Sequence, residues 1–236
     1  MRIWDINPGY LNRQSLLGEH RELHGIVSII ENNKKGYSNH PETLRWVGYP
    51  WALQQRHLLL SAEMRLRGFT DKTPVLIDGN TGVWPPTYID EPFNQFQILE
   101  TKYLTKQPGR ISLPKNAQQL WSQHKYSILA RNINLYREIG REVANIKPNQ
   151  EFSKLARVLT EQLRIQPLRG GMINALQHMW SYVSAHSSVS EVEFASWSPS
   201  RLLTEIQQLS LSNEVSYLSQ STALSELEVW VNKLNT

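Results

Sequence analysis

Apolar positions recur along most of this chain at intervals of three and four residues, while the every-second-residue alternation of a half-buried strand is scarce. The pattern predicts an all-α protein. A first helix is expected from about Asn12 to Asn33, with Leu16, Leu23, Ile26, Val27 and Ile30 along one side. "GYSNHPETLRW" interrupts it with loop residues, and His40 before Pro41 reads as a cap bordering a cleft. A second helix, from about Pro50 to Leu66, puts Leu53, His57, Leu60 and Met64 on one stripe and stops at Gly68. After an irregular, turn-rich segment, a further helix is predicted from about Phe93 to Thr105.

"KQPGRISLPKN" has no helical period and carries Pro108, Gly109 and Pro114, so the expected domain boundary falls there, giving helical domains 1–113 and 114–236. Beyond it, "AQQLWSQHKYSILARNINLYREIGREVANI" reads as one long helix with Ile128, Leu135, Ile139 and Val143 on its buried side, ended by Pro148. Helices at about Glu151–Ile165 and Gly171–His186 follow. "SPSRLLTEIQQL" and "SELEVWVNKL" complete a C-terminal bundle.

Composition narrows the chemistry. The 236 residues suffice for two cores, and 40% apolar with 19% charged residues is the balance of a folding chain. With no cysteine, thiolate metal sites, iron–sulfur clusters, disulfides and cysteine nucleophiles are excluded. No segment approaches the roughly 18 apolar residues of a membrane span, so a cytoplasmic, nucleoid-associated protein without membrane contact is expected. The net charge of +4 is unevenly spread: residues 115–169 carry 10 Lys and Arg against 4 Asp and Glu, whereas residues 170–236 carry 2 against 6. The middle of the chain is the part suited to an anionic partner.

The densest group of chemically capable side chains is "EHRELH", Glu19 to His24, within the first helix. His20 and His24 are four apart and share a face, the spacing of a helical metal-ligand pair. Glu22, however, lies about 200° around the helix from His20, not where the base of an H-E-x-x-H zinc enzyme sits. The sequence supplies no matched third ligand, and neither a metal nor an organic cofactor is expected. A second chemistry uses the chain terminus. An α-amino group titrates near 7.7–8.0, so roughly a tenth is neutral at pH 7 and able to attack an aldehyde-level carbon such as C1′ of a deoxyribose. Glu22, a short arm away from Met1, is placed to stabilise charge or relay protons.

"MRI", "QSLLGEHREL", "LQQRHLLLSAEMRLRGF" and "YIDEPFNQF" resemble the pyrimidine-dimer DNA glycosylase family of endonuclease V type, which also has AP-lyase activity, over about residues 1–113. The resemblance implies an imine formed by the N-terminal amine, assisted by the glutamate of the R-E-L triplet: here Met1 and Glu22. Arg2 and Arg21 match family arginines that hold DNA and the lesion, Gln14 matches a glutamine of the same helix, and His40 is a further expected nucleic-acid contact where its loop borders the cleft. Arg2 is too bulky for ordinary methionine removal, so Met1 itself is expected to supply the amine once deformylated. Ser15 and Gly25 stand where the phage enzyme has a histidine and an arginine, which bears on lesion choice more than on backbone chemistry. Trp46, Tyr49, Trp51, Trp84 and Tyr88 stand in or beside loops, as core packing or as platforms for a displaced base.

"LWSQHKYSILARNINLYREIGREVAN" and "INALQHMWSYV" resemble the YbgA-like domain of unknown function. Within it, Lys125 and Arg131 are expected to contact nucleic acid, with Arg137, Arg141, Lys154, Arg157, Arg164 and Arg169 adding positive charge. His124 and His178 make either a polar site or a pair of core histidines. The expected partner is damaged double-stranded DNA, with RNA as the alternative; oligomeric state is not legible. The rival readings are a non-catalytic nucleic-acid-binding module and an enzyme of RNA-base metabolism with its site in the second half.

Overall fold

A computed structural model describes residues 1–147, 149–189, 193–194 and 196–231, and among these there are helices and no strands. The all-α expectation holds. The chain divides into two compact units, Met1–Gly109 and Arg110–Thr236.

In the first unit an extended arm leads through a 3₁₀ turn at Pro8–Tyr10 into α1 (Arg13–Glu31), followed by α2 (Pro41–Trp46), α3 (Pro50–Leu66) and α4 (Pro92–Tyr103). Asn12 starts α1 by accepting the Ser15 N–H at 2.9 Å, and Asn32 closes it. The α3 limits coincide with the predicted ones. α2 was not expected, because Pro41 reads as a breaker. It instead occupies the first helical position, where no N–H is needed, and His40 Nδ1 accepts the Glu42 N–H at 3.1 Å. α1 packs on α3, burying Leu16, Leu23 and Ile26 against the side that carries Leu53 and Leu60. Each such side chain contributes about 1.5–3 kcal/mol on leaving water. Ile3, Trp4 and Ile6 of the arm are buried too, so the start of the chain belongs to the core.

In the second unit, α5 (Ala117–Leu129) packs with α6 (Ile133–Asn145), α7 (Ser153–Leu163) and α8 (Arg169–Trp180); α9 (Pro199–Ser212) lies on α8, and three one-turn helices follow, α10 (Ser216–Ser219), α11 (Ala223–Glu226) and α12 (Glu228–Val231). The single long helix expected over residues 117–146 is thus two. The apolar period runs straight through the break, but Asn132 accepts the N–H groups of Asn134 and Leu135, both at 3.0 Å, and restarts the helix. Leu135, assigned to the buried side, is only half-buried. Pro148 and the last three residues of the helix expected in "SELEVWVNKL" lie outside the described residues.

Candidate active site

The arm is fixed residue by residue to the helices behind it. Glu22 on α1 accepts the Arg2 N–H through Oε2 at 2.5 Å. One turn earlier, Glu19 Oε1 accepts the Trp4 N–H at 3.1 Å and both oxygens receive Arg56 of α3, Nε at 2.7 Å and Nη2 at 2.9 Å. Arg56 Nη1 also donates to the Ile6 carbonyl at 2.8 Å. From α4, Gln95 Oε1 accepts the Asp5 N–H at 2.8 Å, and its amide donates to Asp5 Oδ2 at 3.0 Å. Asp5 is further paired with Arg45, which also holds Glu42 at 2.9 Å. Burial pushes the Glu19 carboxyl up to about 7, against the opposing pull of Arg56 and the Trp4 N–H.

This network sets where the α-amine stands. The amine is one residue from the N–H that Glu22 holds, so standard backbone dimensions keep it within about 6 Å of that carboxylate. Met1 and Glu22 are both half-exposed. The Arg2 guanidinium pairs with Asp90 at 2.6 Å and lies 4.7 Å from the centre of the Trp4 ring, so it is occupied within its own unit. Arg21 and Gln14 are exposed on α1, and half-buried His40, read as a loop cap, caps the helix α2 instead. Lys102 of α4, which the sequence reading did not single out, is lowered by burial and by Lys106, with the charge of Glu22 acting against them. Only folding brings a lysine from that distance along the chain into the field of Glu22.

The opposite side of α1 corrects one expectation. His20 and His24 do have further potential ligands: His57 of α3 and Asp71 of the following loop, one donor atom from each of the four lying within 4.8 Å of the others. Burial holds the His57 imidazole down to about 4. Burial alone would raise Asp71, but the Thr73 N–H, the Ser61 hydroxyl and the neighbouring His57 and His20 together outweigh it and hold the carboxyl at about 2.

Two assignments in the second unit change as well. Arg131 is buried, and its guanidinium is committed to Glu226, at 2.9 and 3.0 Å, and to the carbonyls of Ile165, Ser127 and Leu163. It is a core clamp and not a nucleic-acid contact. Lys125 is half-buried, its ammonium 4.7 Å from the Tyr217 ring centre and 5.0 Å from that of Tyr126. His124 is buried, with Nδ1 2.9 Å from the Leu120 carbonyl, whereas His178 is exposed. Arg137 and Arg141 do face solvent, and with Trp121 and Tyr136, whose ring centres are 5.4 Å apart, they line an open groove of about 550 Å³. Among the aromatic residues of the first unit, Trp46 is core, donating its indole N–H to Glu42 at 3.0 Å. Trp51 and Trp84 are half-buried and meet edge to face, 6.0 Å apart.

No helix among the described residues is long and apolar enough to cross a membrane. No curated protein and no solved structure matches the chain. Residues 1–76, which contain the pinned arm, α1 and the histidine cluster, match the family described as pyrimidine dimer DNA glycosylase. Residues 125–226 match a protein family of unknown function, so the two matches fall on separate stretches of one chain.

Proposed function

We propose that the first unit is a DNA glycosylase with AP-lyase activity, acting on damaged pyrimidines or abasic sites through the Met1 α-amine with Glu22 as its acid–base partner. The observation that carries this reading is the Glu22 carboxylate holding the Arg2 N–H at 2.5 Å, which keeps the start of the chain beside α1. The neutral amine attacks C1′ as the glycosidic bond breaks, and the departing base takes a proton. Opening of the sugar, with O4′ protonated, leaves an iminium between nitrogen and C1′. Removal of a C2′ proton then expels the 3′ phosphate by β-elimination, and water releases the sugar and restores the amine. Glu22 stabilises the iminium charge and relays protons to and from water. Arg21 and Gln14, exposed on the same helix, are assigned to the DNA backbone. In the second unit, the groove of Trp121, Tyr136, Arg137 and Arg141 suits a stacked base beside a phosphate, and supports an accessory nucleic-acid-binding role.

Borohydride trapping of the untagged chain with an abasic-site duplex tests the amine: the expected product is a reduced adduct on the Met1 peptide. Glu22→Gln is expected to lower turnover by about 10²–10⁴-fold with DNA binding retained. Absence of an adduct from a protein whose intact mass shows a free terminus, or full turnover in Glu22→Gln, refutes the assignment.

A further inference from the structure

The cluster behind α1 has no part in the amine chemistry, because His20 and Glu22 point about 200° apart around the helix. Its four side chains come from three elements: His20 and His24 from α1, His57 from α3, and Asp71 from the loop after α3. His20 Nε2 lies 3.3 Å from Asp71 Oδ1, and His57 Nε2 lies 3.2 Å from Asp71 Oδ2. Neither contact forms a well-directed hydrogen bond. His57 is 2% exposed, and both of its ring nitrogens, with Nε2 of His20, are buried without a hydrogen-bond partner.

Buried polar atoms are almost always paired, and leaving them bare is costly. Imidazole lone pairs brought up to a carboxylate repel it unless a proton or a cation lies between them. Around a tetrahedral zinc with bonds near 2.05 Å, neighbouring donor atoms stand about 3.3 Å apart, the spacing of both carboxylate contacts. The carboxylate is also oriented as metal-bound carboxylates are. Ser61, one turn after His57 on α3, donates to Oδ2 at 2.7 Å, and the Thr73 N–H donates to Oδ1 at 2.9 Å. Thr73 Oγ1 is 3.1 Å from His24 Nε2.

We infer that His20, His24, His57 and Asp71 form a binding site for a divalent first-row transition ion, zinc foremost. Three imidazoles and one carboxylate, with no thiolate available, are the donor set of that class and not of magnesium or calcium. Four protein ligands leave no open position in a tetrahedral shell, so the ion acts as a clamp tying α1, α3 and the loop at residues 71–73 together. The inference stands independently of the amine mechanism.

The test uses the full-length chain without a polyhistidine tag, stripped with a chelator and titrated with Co²⁺ and Zn²⁺. One equivalent of Co²⁺ should bind with the intense visible bands of a tetrahedral site, Zn²⁺ should displace it, and the melting temperature should rise. Asp71→Asn and His24→Gln should each weaken binding by more than about tenfold, with circular dichroism unchanged. Should a variant fail to fold, X-ray absorption of the zinc-loaded native chain decides: a shell of nitrogen and oxygen at about 2.0–2.1 Å with the multiple scattering of three imidazoles is expected. No uptake of either ion, uptake undiminished in both folded variants, or a zinc shell with fewer than two imidazoles overturns the site.

Discussion

Two buried histidines, one in each unit, are alike in almost every respect that a sequence or a burial figure conveys. His57 on α3 and His124 on α5 are each 2% exposed, and burial lowers each imidazole to about 4. They differ in partnership. His124 meets the carbonyl one turn before it, at 2.9 Å. His57 has no hydrogen bond at either nitrogen and faces two more imidazoles and a carboxylate, its ring centre 5.1 Å from that of His20 and 5.0 Å from that of His24. A satisfied buried polar group is scaffold. An unsatisfied one among potential ligands is placed to bind a cation.

The contrast can be pressed hardest where partnership is most complete. Arg131 and Glu226 are each about fully buried and doubly bonded to one another, so Arg131→Met strands a carboxylate in the core of the second unit. A loss of about 3–5 kcal/mol is expected, read as a lower urea midpoint, and a near-neutral result would mean that Glu226 takes up a proton on losing its partner. Next comes acid. Because His124 is held below its ordinary value, the unfolded chain binds the proton first as pH falls. Its contribution is fully present above about 6.5 and drains away toward pH 4, with about 3 kcal/mol lost by then. Protection factors of the α5 amides in the intact chain, corrected for the pH dependence of intrinsic exchange, should fall across that window; protection that does not change would show the histidine to be solvated. The smallest change is expected at His57. In metal-free protein His57→Leu removes a group whose ring nitrogens make no well-directed hydrogen bond and should shift stability by no more than about 1 kcal/mol, while abolishing the rise in melting temperature on adding Zn²⁺. A large loss in the metal-free chain would instead make His57 an ordinary core residue like His124.

What the sequence discloses, and what it does not, follows the same division between local and distant partners. The α3 limits are legible because a proline opens the helix and Gly68 lies just past its end, both cues within the element itself. The two histidines of α1 are legible as a pair because four residues on a helix is a fixed distance. Asp71 is not, since its loop has no period linking it to α1; the available signal was His57, a third imidazole on the apolar stripe of α3. The α5–α6 break is hidden for another reason. Apolar spacing continues across Asn132, and only its side chain capping the next two N–H groups turns a continuous pattern into two helices. Arg131 looked like a surface cation because charge is visible in sequence and its partner Glu226, 95 residues away, is not. The nearness of the chain's start to Glu22 was legible because the arm between them is short.

The arm's attachment has a consequence for how the protein is made. Asp5 leaves the ribosome early, but the side chain that holds its N–H, Gln95, follows 90 residues later. Throughout that interval Glu19 and Glu22 are already present, with no α4 against which to complete the cradle. A nascent or prematurely released chain lacking α4 therefore carries every residue of the proposed reaction without the geometry that aims them. Competence arrives last, with the helix that contributes no nucleophile.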